Sequence, residues 1–270
     1  MPLPAAIDVL GLPVHSVTMT QAVLEVERFV ASGEARRRGR PFVHMALNGP
    51  KWVAARDDQA LAASVRAADL VTADGVGVLV LARRLGQRLP ERVTGIDLME
   101  RLCARAAVEG WGVAFLGARE GVASAAAMAL RRRYRSLRVT YCHHGYFKPS
   151  DDAQIATEIA GSGARLLFVG LDTPRKENFV LRHGAASGVD FAMGVGGAFD
   201  VLGGRIRRAP RVLQELGLEW AWRWSQEPQR LAHRYGFDGA RFALAALRRG
   251  PSVMETDPTE LTARPSSRAS

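Results

Sequence analysis

The chain has 270 residues, 47% of them hydrophobic, enough to bury a substantial core and to exclude a wholly disordered protein. Its formal charge of +10 is carried almost entirely by arginine, a balance that favours phosphate-bearing partners such as nucleotides, nucleic acid or anionic lipid. Cys103 and Cys142 lie far apart with no Cys-x-x-Cys, the N-terminus has no basic region ahead of its apolar residues, and no uninterrupted apolar run reaches about 18 residues; a disulfide framework, a structural zinc site, a secretory signal and a spanning helix are therefore not expected, and a reducing compartment is.

In chain order, residues 7–14 read as one short apolar strand. Residues 19–32 have helical spacing, with Ala22, Val23, Val26, Phe29 and Val30 as the apolar stripe. A basic turn at 36–40 leads into a strand over 41–47 that ends in Asn48-Gly49, which makes Asn48 a candidate donor beside Asp74. His44, inside that strand, reads as packed rather than catalytic. Residues 50–68 are helical through Trp52, Val53, Ala60, Leu61 and Val65, so strand, helix and the next strand form a βαβ unit.

The stretch 68–99 organises the rest. Its apolar run Leu70-Val71 stops at Thr72-Ala73-Asp74-Gly75 and is followed by a helix-compatible segment over 77–82. A strand ending in a polar residue and glycine presents a side chain at the carboxyl edge of an α/β sheet, where ligands bind. Asp74 either faces such a ligand or caps the helix that follows. A second polar group, Thr94-Gly95-Ile96-Asp97, also precedes an amphipathic segment, which would let Asp74 and Asp97 face one cleft.

A helix over 98–108, a buried strand over 112–117 and an alanine-rich helix to Tyr134 come next. Gly117 and Gly121 resemble half of a dinucleotide fingerprint without completing it. A strand over 137–142 leads to His143-His144; neighbours in a strand point to opposite faces and no carboxylate stands at ligand spacing, so no metal site is expected. A helix over 151–160 precedes a central strand, 165–171, whose exit Asp172-Thr173-Pro174-Arg175-Lys176-Glu177-Asn178 suits nucleotide binding or a solvated helix start. The last strand, 190–195, enters a turn in which Gly194, Gly196 and Gly197 permit close backbone approach to a flat or anionic ligand. The expected fold is α/β, an open, mainly parallel Rossmann-like sheet with flanking helices over residues 1–204.

After Gly204 the composition changes. Residues 205–249 are dense in arginine and carry Trp220, Trp222 and Trp224, which cannot share one helical face. They read as a basic helical C-terminal appendage suited to a phosphate-rich membrane edge, or as an ordinary helical cap. Residues 250–270 are expected to be a disordered tail.

Thr72-Ala73-Asp74-Gly75-Val76-Gly77, Glu91-Arg92-Val93-Thr94-Gly95-Ile96-Asp97, Val169-Gly170-Leu171-Asp172-Thr173-Pro174-Arg175-Lys176-Glu177, Gly194-Val195-Gly196-Gly197-Ala198-Phe199-Asp200 and Arg208-Ala209-Pro210, in that order and number, resemble the WecG/TagA/CpsF family of bacterial glycosyltransferases. The resemblance runs over residues 7–242 and implies transfer of a sugar from a UDP-sugar to a polyprenyl-diphosphate-linked saccharide in cell-surface polysaccharide synthesis, by an enzyme held peripherally at the cytoplasmic face of the membrane. It implies Asp74 as general base, Asn48 in the sugar pocket and Lys176 at the donor pocket, and Thr72, Thr94, Asp97, Asp172, Arg175, Gly194, Gly196 and Gly197 are expected around the donor with them. It further implies appendage arginines at the active site and membrane, on or near Arg223, Arg230 and Arg234, and Arg211 is expected to join them in leaving-diphosphate and membrane contacts. Ala46, Lys176 and His233 stand where the family often has threonine, glutamine and arginine.

The residue types suit that chemistry on their own terms. An acceptor hydroxyl needs a base, which Asp74 supplies, and a departing UDP needs positive charge, which arginine supplies through two oxygens at once. With no compact Asp-x-Asp, the expected mechanism is metal-independent displacement with inversion, with no cofactor beyond the UDP-sugar donor substrate. A lipid-linked acceptor, an anionic membrane surface and a homo-oligomer are the expected partners, and nucleic acid is not. Two other classes stay open at this point: an NAD-dependent or nucleotide-modifying α/β enzyme, and a basic nucleic-acid-binding module.

Overall fold

The computed structural model describes residues 5–248; the expected tail lies outside the described residues, as do the side chains of Arg234 and Tyr235. The first apolar run is a hairpin rather than one strand: β1 (Ala6–Val9) and β2 (Leu12–His15) pair antiparallel, and Leu10 and Gly11, at φ 54° and 89°, turn the chain back between them. The remaining strands are β3 (Phe42–Leu47), β4 (Leu70–Ala73), β5 (Gly112–Gly117), β6 (Arg138–His143), β7 (Leu166–Gly170) and β8 (Phe191–Gly194). They form one all-parallel sheet in the order β4-β3-β8-β7-β5-β6, so the strand expected to be central, β7, is central.

The helices of the first half are α1 (Met19–Ser32), α2 (Glu34–Arg38), α3 (Gly49–Asp57), α4 (Gln59–Arg66), α5 (Val76–Arg84), α6 (Gly95–Glu109) and α7 (Val122–Arg133). Those of the second half are α8 (Asp152–Gly161), α9 (Arg175–His183), α10 (Ala198–Leu202), α11 (Arg211–Glu215), α12 (Glu219–Gln226), α13 (Pro228–Leu231) and α14 (Asp238–Arg248). The basic turn expected at 36–40 is mostly α2, which ends at Gly39 in the left-handed conformation.

Alternation within the strands builds two cores. Leu70, Phe115, Phe168 and Phe191 pack with α1, α6 and α7 on one face, whereas Leu47, Val71, Leu116 and Val169 pack with α3, α4, α5, α8 and α9 on the other. Burial on both faces is why these strands read as continuous apolar runs. The parallel arrangement also sends every strand's carboxyl end to the same edge, and the chain turns off that edge to opposite sides around β3 and β8. Polar residues that end β4, β3, β8 and β7 therefore converge on one crevice.

The C-terminal helices lie over this edge. Phe242 of α14, 7% exposed, packs edge-on to Trp52 at 5.6 Å and presses against Gly49 and Gly77, where an added Cβ would come within 3.0 and 2.9 Å of its ring. Arg241 ties the same helix to Asp57 through two hydrogen bonds of 2.6 and 2.8 Å.

Candidate active site

Asp74 follows β4 directly, and its amide donates to Leu47 O at 2.8 Å, extending the pairing with β3 by one residue. It does not cap α5: the N-cap there is Gly75, with no side-chain bond. Its carboxylate instead accepts from Gly95 N at 3.0 Å through Oδ1 and from Asn48 Nδ2 at 3.3 Å through Oδ2. Asn48 is held by its own task as N-cap of α3, where Oδ1 accepts from Lys51 N at 3.0 Å and so turns the amide nitrogen toward Asp74. Thr94, 4% exposed, caps α6 from the other side of the carboxylate.

These residues line a cavity of about 400 Å³ whose floor holds a buried charge cluster. Glu177, 2% exposed, pairs with Lys51 Nζ at 3.0 Å and Lys176 Nζ at 3.2 Å, and Lys176 also donates to Thr173 Oγ1. Burial opposes the charge on Glu177, but the two ammonium groups more than offset it and hold its carboxyl below the ordinary carboxylate range. The Lys176 stem lies along Gly194, where an added Cβ would meet Cδ at 3.0 Å. Gly197 admits the Arg223 guanidinium in the same way, since a Cβ there would sit 1.8 Å from it.

The wall contributed by the appendage is braced by ion pairs. Arg208 binds Asp97 at 2.6 Å and Glu219 at 3.6 Å, and Arg92 binds Glu219 at 3.4 Å. Trp222 Nε1 and Gln226 Nε2 both donate to Arg207 O, at 3.1 and 2.9 Å, and fix α12 against residues 206–209. Trp220 and Trp224 stack one turn apart at 6.5 Å, and Trp220 and Trp222 both line the cavity, whereas Trp224 does not.

A second cavity, about 830 Å³, opens beyond β5, β6 and β7 and shares Lys176, Gly196, Gly197 and Arg223 with the first. Its lining includes Arg119, His143, Tyr146, Asp172, Asp200 and Arg230. Arg175, also in its lining, stacks on Phe147 at 4.5 Å and pairs with Asp152 at 3.3 Å. Arg205 pairs with Asp200 at 2.7 Å, and it shares Glu227 with Arg230, each at 3.0 Å. Gly117 at its edge serves strand packing, because a Cβ there would fall 2.5 Å from the Gly170 backbone.

The structure thus brings Asp74, Asn48, Thr94, Lys176, Gly194, Gly196, Gly197 and Arg223 to one cavity, and Asp172, Arg175 and Arg230 to its neighbour. Three expected site residues are elsewhere. Thr72 is fully buried behind the sheet edge, Arg211 is exposed away from both cavities, and Asp97 faces Arg208 and Thr94 instead of sharing the cleft with Asp74. Arg234 lies outside the residues with described side chains. Lys51 and Phe242 were not singled out from sequence, and Arg92, Glu177 and Arg208 stood there only within motifs, with no role of their own. Among the described residues no group of three or more His, Cys, Asp or Glu side chains is placed to hold a metal ion, and no helix is long and apolar enough to cross a membrane.

A polar crevice at the carboxyl edge of a parallel sheet, with one carboxylate held by two donors and lysines and arginines ranged beside it, is shared chemistry for many transferases. Comparison with known proteins narrows it. The model of the glycosyl transferase WecG/TagA/CpsF family matches residues 7–254. Among similar curated proteins are the N-acetylglucosaminyldiphosphoundecaprenol N-acetyl-beta-D-mannosaminyltransferases of Staphylococcus aureus strains NCTC 8325 / PS 47, COL and MSSA476. Each is 31% identical over 220 residues, which cover 81% of this chain and 84% of the relative. With nearly the whole described chain inside the family match, and all the motif glycines and Asp74 at one sheet edge, the protein belongs to the glycosyl transferase WecG/TagA/CpsF family.

Proposed function

We propose that the protein transfers an N-acetylhexosaminyl or hexosyl group from a UDP-sugar to a hydroxyl of a polyprenyl-diphosphate-linked saccharide, with inversion at the anomeric carbon. The observation that carries this is the position of the Asp74 carboxylate, fixed by Asn48 and Gly95 in a cavity that adjoins a second one along Lys176, Gly196, Gly197 and Arg223. The sugar sits in the smaller cavity, the diphosphate crosses the shared wall, and the nucleoside occupies the larger cavity beside Tyr146, Asp172 and Arg175.

In this reaction Asp74 accepts the acceptor's hydroxyl proton. The freed oxygen forms a bond to the anomeric carbon from the face opposite the diphosphate, and the bond from that carbon to the UDP oxygen breaks with its electron pair leaving on UDP. The one negative charge that builds up on the β-phosphate, beside the one already there, meets Lys176 and Arg223, in a site where fixed cations act more strongly than in water. The related staphylococcal enzymes act, by name, on a diphosphoundecaprenol-linked acceptor, which supports the lipid-linked acceptor class.

Docking at an anionic membrane surface, on its cytoplasmic face, completes the proposal. Its support is the exposure of Leu216, Leu218 and Trp220, 62%, 40% and 43%, on the same appendage as exposed Arg207, Arg211 and Arg230. Apolar side chains entering the interface beside basic ones is the pattern of peripheral attachment. Incubation of the purified protein with a panel of UDP-sugars and a polyprenyl-diphosphate-linked acceptor, read by mass spectrometry, tests the reaction; co-sedimentation with anionic and neutral liposomes at low and high salt tests the attachment.

A further inference from the structure

Behind the site, on the face of the sheet covered by α6, starts a chain of hydrogen bonds whose first members, His44, Thr72 and Val93, line neither cavity. His44 of β3 and Thr72 of β4 are both fully buried, and His44 Nε2 lies 2.9 Å from Thr72 Oγ1. The Thr72 hydroxyl lies 3.3 Å from Val93 O. A carbonyl can only accept, so the single hydroxyl proton goes to Val93 and the imidazole must donate from Nε2. Burial keeps the ring neutral, so Nδ1 carries the lone pair, and the buried Nδ1 has no partner. Val93 in turn donates its amide to Ala73 O at 2.9 Å, and two residues later Gly95 N donates to Asp74 Oδ1 at 3.0 Å.

From this continuous path we infer that His44 and Thr72 are positioning residues for Asp74: they clamp residues 93–95 to the end of β4 and so hold the Gly95 amide on the carboxylate. The inference rests on Asp74 being the general base. Without the clamp, Val93 keeps one of its two ties to β4, and the loop has freedom to draw the Gly95 amide away. A carboxylate that loses an N–H donor loses part of its orientation, so the clamp keeps Asp74 aimed at the acceptor hydroxyl.

The experiment compares Thr72→Val, which keeps shape and removes the hydroxyl, with Thr72→Ser, which keeps the hydroxyl. Thr72→Val is expected to lower kcat about tenfold with donor KM changed less than about twofold. Thr72→Ser is expected to hold both near the parent values. An unchanged kcat in Thr72→Val, a donor KM that rises as far as kcat falls, or a Thr72→Ser as impaired as Thr72→Val overturns the inference. If Thr72→Val does not fold, His44→Leu and His44→Gln give the same contrast from the other end of the bond, the glutamine amide retaining a donor. Asp74→Asn is assayed alongside: if it stays fully active, the base is elsewhere and both readings fall, whereas its loss of activity leaves an unchanged kcat in Thr72→Val to count against the clamp alone.

Discussion

Asn48 Nδ2 stands 3.3 Å from Asp74 Oδ2 while Asn48 Oδ1 accepts the Lys51 amide at 3.0 Å, so one side chain starts a helix and orients the carboxylate. The two tasks separate by substitution. Asn48→Ala is expected to cost about 1 kcal/mol for the lost cap and to lower turnover; Asn48→Ser restores the cap, and with it stability, but lacks the amide. Denaturation midpoints and kcat measured together check this. Recovery of kcat by the serine would make the cap, not the amide, the contribution of Asn48.

Asp74→Asn is expected to reduce kcat by roughly 10²-fold or more while leaving UDP affinity intact, as loss of a general base requires. Single-turnover rates beside UDP titration by calorimetry give the two halves of that expectation.

The legible part of this protein in its sequence was what local pattern dictates. Strands buried on both faces announced themselves as apolar runs, and Asp74, Asn48 and the glycines at 194, 196 and 197 announced themselves as strand ends. Asp97 did not, because its fate depends on Arg208, 111 residues away and 2.6 Å distant in the fold. Lys51 stayed hidden for the same reason: an ordinary helix-start lysine becomes a cavity-floor cation only when α3 meets Glu177 of α9. Thr72 looked like a ligand-binding residue by its neighbourhood, yet alternation turns it to the α6 face, where His44 and Val93 take its hydroxyl. Phe242 carried no local signal because its glycine partners, 49 and 77, are distant in sequence.

The cluster around Glu177 yields an asymmetric pair of substitutions. Glu177→Gln leaves Lys51 and Lys176 buried without that shared carboxylate and is expected to destabilise by about 3–5 kcal/mol. Lys176→Gln leaves the Lys51 pair in place, so it should shift donor affinity or preference more than thermal stability. Equal efficiency on every UDP-sugar before and after Lys176→Gln would restrict Lys176 to a structural part.

His44 sets a pH dependence of stability. Burial, with Lys51 and His15 nearby, pushes its imidazole down to about 3, so between there and its ordinary value of 6.5 the unfolded chain binds a proton that the folded chain refuses. Stability therefore falls as pH drops through 6.5, by about 2 kcal/mol at pH 5 from this residue. Urea midpoints from pH 8 to pH 5 should show that slope, and His44→Gln should flatten it; an unchanged slope would assign the loss to other groups.

Gly197→Ala tests the seat of Arg223. The backbone at Gly197, φ −88° and ψ 25°, accepts alanine, so only the guanidinium has to move. Stability should stay within about 0.5 kcal/mol. Donor KM should rise and kcat fall as Arg223 leaves the diphosphate wall, and Arg223→Ala should add little on top. Additive losses in the double variant would mean the two residues act separately.

The most direct measurement is mass spectrometry of a polyprenyl-diphosphate-linked saccharide after incubation with the full chain and each of a panel of UDP-sugars, run beside Asp74→Asn. The expected result is a mass gain of one sugar residue on the acceptor from one donor of the panel, with release of UDP, and a rate at least 10²-fold lower in the variant. An acceptor left unmodified by every donor, or modified as fast by Asp74→Asn as by the parent, would contradict it.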